Sequence, residues 1–193
     1  MKKTLLVVLF SASSFASAGT LTFDDIGNFE EVGLYAGLNF SNFYALDTVE
    51  FYPSGYLNNV VSPNNVIFNA SGAEASFSSA TAFTFNSVYA TAAWNDGQSL
   101  DVTGWYQGVQ IYSKSLLLNT TTTLLATFDW AGIDTVRFLA HGGNNAGFDG
   151  SGDHISLDNL TVSAAVVAEP ASVALLGLGM LGLAVARRRV DAK

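Results

Sequence analysis

The strongest constraint in this sequence is an alternation. In LLATFDW, residues 124 to 130, Leu124, Ala126, Phe128 and Trp130 fall on one side of an extended chain, with Leu125, Thr127 and Asp129 on the other. Successive side chains of a β-strand point to opposite faces, so such a segment is satisfied only where one face covers a core. Similar short runs of β-branched and aromatic residues recur along the chain: TLTFDD, NNVIFN, EASFSS, AFTF, SLDVTGWY, GVQIYSKSL, DTVRFLAH and HISLDNLTV. Clusters of Gly, Asn, Asp and Ser separate them, which marks an all-β domain. In AFTFNSVYATAAW the apolar phase shifts between Phe85 and Val88, so a bulge is expected at Asn86 or Ser87. No fixed internal period is present, which argues against a propeller or solenoid. One open sheet could not bury so many aromatic side chains, and the expected architecture is therefore a two-sheet jelly-roll β-sandwich. Residues 24–65 are less regular and are expected to form long loops across one edge.

The domain so defined covers residues 19–162, with a short linker at 163–168. Across 19–168, fourteen Asp and Glu face only Lys114 and Arg137, a net charge of −12. Too few cations are present to replace the counterions of nucleic acid or of an anionic lipid surface, so neither is an expected partner. The chain contains no cysteine, which excludes disulfides, thiol catalysis and thiolate metal sites. Its two histidines, His141 and His154, exclude a multi-histidine zinc centre.

The two ends read differently. Lys2 and Lys3 precede an apolar run from Leu5 to Phe10 and then small residues ending in Ala16, Ser17 and Ala18. That order is the layout of a secretory signal peptide spanning 1–18, cleaved after Ala18 at a site set by Ala16 and Ala18. At the other end, residues 171–186 carry no charge and Arg187, Arg188 and Arg189 follow. As a helix this run is about 24 Å long. Snorkelling arginines can make up the difference from a hydrocarbon core of about 30 Å. Positive charge stays on the cytoplasmic side, so the expected arrangement is an inner-membrane helix with the β-domain facing outward.

Glu169-Pro170, the Leu/Gly-rich segment and the terminal arginines resemble the PEP-CTERM sorting signal of exported Gram-negative proteins, here over 169–190. The resemblance implies processing near Glu169 and Pro170 by exosortase, a membrane-embedded cysteine transpeptidase, with Arg187–Arg189 as the membrane stop. Ala168 stands where the family's first proline is usual. The segments FDDI, YAGLNFSNFY, AGIDTVRF and ISLDNLTV look like an ectodomain common among such proteins. LDNLTV is also similar to the last strand of galactose-binding-like sandwiches, for which sugar binding and calcium sites are frequent. The resemblance thus implies transient anchoring, then a cell-surface or extracellular location, and an association with exopolysaccharide and biofilm.

Three places in the domain could carry chemistry. The loop HGGNNAGFDGSGDH, residues 141–154, offers Asp149, Asp153 and many backbone oxygens to a hard cation such as Ca2+, although the same composition serves a hairpin connection. Asp24, Asp25 and Asp158 form a second possible metal cluster, because first and last strands of such sandwiches often lie side by side; singly, they read as solvated carboxylates at strand ends. Trp94 and Trp105, next to NDG and YQG, are the surface candidates for stacking on sugar rings, whereas Trp130 belongs to the core face of its strand. No phosphate loop, nucleophile elbow or metalloprotease motif is present. The expected function is that of a non-catalytic envelope or matrix protein that binds, or builds into, polysaccharide. The alternatives are a carbohydrate-active enzyme using two carboxylates about 5 to 10 Å apart, or a purely structural surface protein.

Overall fold

A computed structural model describes residues 18–164. The segments expected to form the signal peptide, with Ala16, and the transmembrane helix, together with Glu169, Pro170 and Arg187–Arg189, lie outside the described residues, and among the described residues no helix is long and apolar enough to cross a membrane.

The chain forms strands β1 (Ala18–Leu21), β2 (Leu34–Tyr35), β3 (Leu38–Ser41), β4 (Phe43–Asp47), β5 (Asn65–Asn69), β6 (Ala75–Ala92), β7 (Asn95–Asp96), β8 (Gln98–Tyr106), β9 (Val109–Leu118), β10 (Leu124–His141), β11 (Asn144–Asn145) and β12 (Ile155–Ala164). A single helical turn, α1 (Gly55–Asn58), lies between β4 and β5. Hydrogen bonding follows the order β4-β5-β12-β6-β10-β8-β9, with β1 on β12 and β3 on β6.

The two long strands turn this ladder into two layers. Phe77 and Phe85 belong to the same strand β6, yet their ring centroids are 5.5 Å apart. A straight strand would separate them by about 26 Å, so β6 must fold over. The corner is at residues 79–82, where pairing to β10 jumps from Ile133↔Phe83 to Thr135↔Ser78. Strand β10 turns with it, since both Phe128 and Phe138 reach Phe85, at 4.4 and 6.1 Å. One layer is then β2, β3, the start of β6, the end of β10, β8 and β9; the other is β4, β5, β1, β12, the end of β6 and the start of β10. Strands that pass from sheet to sheet through bends make the corners of a sandwich, here a β-sandwich of jelly-roll type.

The core lies between the layers. Phe23, Phe43, Phe77, Phe85 and Phe138 are fully buried there, each contributing about 1.5–3 kcal/mol by removal from water. A second, smaller cluster of Leu46, Tyr56, Val66, Ala93 and Trp94 closes one end. The alternation of 124–130 is realised, with Ala126, Phe128 and Trp130 buried and Leu125, Thr127 and Asp129 exposed. The expected bulge sits at Asn86, which has no partner on β12 between the pairs Thr161↔Ser87 and Val162↔Phe85.

Buried amides tie the loops to the strands in place of disulfides. The Asn65 amide donates to the carbonyls of Phe23 and Ile26, and Asn69 donates to those of Ala73 and Asp153 while accepting from the Ile155 amide. Satisfied buried polar groups of this kind fix one arrangement of the chain. Residues 24–65 are more regular than long loops: β3 and β4 pair with β6 and β5. Strand β12 runs to Ala164 and takes in the first two residues assigned to the linker.

Candidate functional site

Strand alternation in the first layer sends one set of side chains into the core and the other to solvent. On β10, Val136, Phe138 and Ala140 are buried, which leaves Arg137, Leu139 and His141 on the outer face. On β8, Leu100, Val102 and Gly104 go inward, and Asp101, Thr103 and Trp105 outward. Register then brings distant residues side by side: Arg137 is opposite Thr103 on one flank and Ser76 on the other, Leu139 opposite Asp101, and Trp105 opposite Gln110 of β9.

These residues line a groove of about 250 Å³ formed by Glu74, Asp101, Thr103, Trp105, Gln110, Arg137 and Leu139. The Arg137 guanidinium carbon is 4.7 Å from the centroid of the Trp105 ring, a cation–π contact, and its Nη1 is 3.6 Å from a Glu74 carboxylate oxygen. The indole N–H of Trp105 donates to the Thr103 hydroxyl at 2.8 Å. Asp101 accepts from the Ser115 hydroxyl and lies 3.2 Å from His141 Nε2. Those contacts, the serine hydroxyl first and then the histidine, hold the Asp101 carboxyl below the ordinary carboxylate value. The indole is thus held at two points, by the Thr103 hydroxyl at its N–H and by the Arg137 guanidinium over its ring. Of the two cations in the described residues, Lys114 is exposed on β9 and engaged away from the groove: its Nζ donates to the Thr127 carbonyl at 2.8 Å and sits 5.2 Å over Phe128. Arg137 is the one that faces the groove.

The other candidates fall elsewhere. Trp94 is buried, 9% exposed, edge-on to Tyr56 at 5.3 Å. Gly150 lies on its indole so closely that a Cβ there would come within 2.5 Å of the ring, so the loop that follows β10 covers the side chain that its NDG neighbours suggested was exposed. The carboxylates of Asp24, Asp25 and Asp158 do not assemble. Asp24 accepts the backbone N–H of Asn65 at 3.2 Å and Asp25 the Tyr35 hydroxyl at 2.7 Å. Burial, followed by the Asp25 contact, pushes the Tyr35 phenol up to about 12. Asp158 is fully buried and accepts the amides of Val61, Ser62 and Asn159 and the Ser62 hydroxyl. β1 does pair with β12, as expected of first and last strands, but the carboxylates near them serve separate turns. Among the described residues no group of three or more His, Asp or Glu side chains is placed to hold a metal ion. In the 141–154 loop Asp149 is exposed and Asp153 is turned toward Asn95 and Gln98.

Sequence reasoning selected Trp105 and missed Arg137, Asp101 and Glu74. A signal for Arg137 was present: it stands at an outward position of DTVRFLAH and is one of only two cations in 19–168.

Residues 166–189 match the PEP-CTERM protein-sorting motif, a span that includes Glu169, Pro170 and Arg187–Arg189. No curated protein matches the sequence. Several solved structures are similar in fold. One is a family 61 carbohydrate-binding module in complex with β-1,4-galactotriose, at 10% identity over 72% of this chain and 99% of that one, with a TM-score of 0.36. A family 29 carbohydrate-binding module is 14% identical over 81% of this chain and 100% of that one, with a TM-score of 0.42. The family 11 module of the cellulosomal cellulase Lic26A-Cel5E of Clostridium thermocellum is 13% identical over 81% of this chain and 100% of that one, at a TM-score of 0.40. These likenesses concern the fold and assign this chain no ligand.

Proposed function

We propose that this is an exported protein, held by its C-terminal segment in the inner membrane, processed there by exosortase and delivered to the cell surface or matrix, where the β-sandwich binds polysaccharide without turning it over. The route is supported by the PEP-CTERM motif over 166–189. The binding reading is carried by one observation, the Trp105 indole held in an outward groove under Arg137 with Glu74 and Asp101 beside it.

The chemistry of the groove favours a neutral sugar chain. A sugar presents an apolar ring face that an indole can cover and hydroxyls that a guanidinium and carboxylates can bond in fixed directions. The groove sits at the small end of ligand pockets, which run to about 300–1,000 Å³, and suits one unit of a chain lying across an open sheet. Its charge argues against an acidic sugar, because Arg137 already faces Glu74 and the 19–168 region carries a net charge of −12. Connection with exopolysaccharide and biofilm belongs to this same reading.

Two experiments test it. A tail-epitope blot of membrane and medium fractions should show loss of the C-terminal epitope from released protein in a strain with an exosortase, and accumulation of the full-length membrane form when Glu169 and Pro170 are replaced by alanine. Retention of the epitope on released protein contradicts the route. Incubation of the protein with neutral matrix polysaccharide should give co-sedimentation without new reducing ends; release of reducing ends would make it an enzyme.

A further inference from the structure

The edge of a β-sheet presents a row of unpaired N–H and C=O groups, and β-proteins blunt such edges with short strands, charges or covering segments. This sandwich does so at most of its edges. β1 and β2 are only four and two residues long. β4 is covered by the segment ahead of it: the amides of Phe29 and Val32 donate to the carbonyls of Ala45 and Phe43, and the Ala45 amide donates to the Glu30 carbonyl. The first half of β10 is capped by side chains, with Lys114 Nζ on the Thr127 carbonyl at 2.8 Å and the Tyr112 hydroxyl on the Ala131 carbonyl at 3.2 Å. β9 is different. It is ten residues long and paired to β8 on one side, and among the described residues no strand pairs with its other side.

We propose that β9 pairs antiparallel with β9 of a second copy of this chain, joining the first layers of two molecules into one continuous sheet. Charge selects this occupant. Val109–Leu118 holds no carboxylate and one cation, Lys114, in a region of net charge −12, so along this edge two such domains can meet without opposing carboxylates on the paired strands. Register supports it as well. Trp105 pairs with Gln110 and Gly104 with Tyr112, which leaves Ile111 as a bulge and residues 112–118 as the regular run. A two-fold axis at its midpoint, Ser115, sets Tyr112 opposite Leu118, Ser113 opposite Leu117 and Lys114 opposite Leu116 of the second copy. Every position of the run is then paired, with no like charges opposed. Leu117, 66% exposed in the single chain, gains a neighbour across the seam. An axis perpendicular to the joined sheet keeps both outer faces on one side, so the two Trp105 grooves open together. One polysaccharide chain can then engage both, which raises avidity without a new contact. That consequence rests on the sugar-binding reading; the pairing itself does not.

The test is analytical ultracentrifugation of the full chain in a detergent matched to the solvent density. The wild-type protein should pass from one to two chain masses as its concentration rises. Ser113→Lys with Leu117→Lys sets lysines opposite one another and should stay at one chain mass, whereas Ser113→Asp with Leu117→Lys sets opposite charges together and should dimerise, with melting curves like the wild type. If the double-lysine variant fails to fold, a single thiol gives the comparison, because the chain has no cysteine. Directly opposed residues have Cα atoms about 4.5–5.5 Å apart, within the range of about 4.4–6.8 Å that a disulfide spans. Under a mild thiol oxidant Ser115→Cys, on the axis, should cross-link into a dimer, and Ser113→Cys, off the axis, should not. A wild-type chain that stays monomeric at every concentration overturns the pairing. So do double variants that both keep or both lose the dimer, and so does equal cross-linking of the two cysteine variants.

Discussion

Asp158, on the last strand and fully buried, accepts the backbone N–H of Ser62 at 2.9 Å and its hydroxyl at 3.0 Å, so a carboxylate inside the protein closes the loop ahead of β5. The amides of Val61 and Asn159 donate to the same group. Burial pushes its pKa up against the pull of these donors. Replacing it by alanine orphans several buried donors at once. Asp158→Ala should cost about 3 kcal/mol or more, because each abandoned donor costs about 1–3 kcal/mol. A lowered urea midpoint at unchanged slope checks this.

Phe85 contacts rings from both layers: Phe77 at 5.5 Å, Phe128 at 4.4 Å and Phe138 at 6.1 Å. Phe85→Ala therefore empties the point where the two halves of β6 meet, and should destabilise by about 3–5 kcal/mol. Phe29→Ala provides the contrast, since Phe29 is 52% exposed and its removal should cost much less. Thermal melts of the two variants side by side test the difference.

Much of this architecture is written in the alternation. LLATFDW and DTVRFLAH show their buried faces directly, and the phase slip after Phe85 marks the bulge at Asn86. Residues 24–65 hid their strands for a physical reason. Phe40 and Phe43 are both buried but three apart, because Asn42 between them is left-handed, at φ 59, and breaks the period-two pattern. The groove was legible only through Trp105. Arg137 meets Thr103 and Ser76 through strand register, and register depends on pairings that no local pattern states. Trp94 misled for the opposite reason: its neighbours read as a turn, but a distant glycine, Gly150, covers it.

His154 is partly buried, its Nδ1 lacks a partner, and burial holds its pKa below the ordinary histidine value. The sign follows from proton binding. Below about pH 6.5 the unfolded chain takes up a proton that the folded chain resists, so stability falls as the pH drops through this range toward the lowered folded value. His154→Gln should flatten that part of a stability–pH curve, measured by urea unfolding, and leave the shape above about pH 7 unchanged.

Arg137 offers the groove a flat guanidinium over Trp105. Lysine keeps the charge but loses the planar stack and the fork of donors. Arg137→Lys should weaken polysaccharide binding about tenfold, a change of about 1.4 kcal/mol. Its effect on stability should stay within about 0.5 kcal/mol, because the Glu74 pair is exposed to solvent. Affinity electrophoresis and a melting curve on the same preparation separate the two effects.

The most direct test of the binding surface is a binding isotherm on neutral matrix polysaccharide for the wild-type chain and Trp105→Ala, each with a melting curve to show that the fold is kept. An anchoring aromatic side chain contributes about 2 kcal/mol or more to such an interface, so the substitution should weaken binding at least about thirtyfold while the protein still melts cooperatively. Equal affinity in the two proteins would contradict the account, as would the absence of any binding by the wild-type chain.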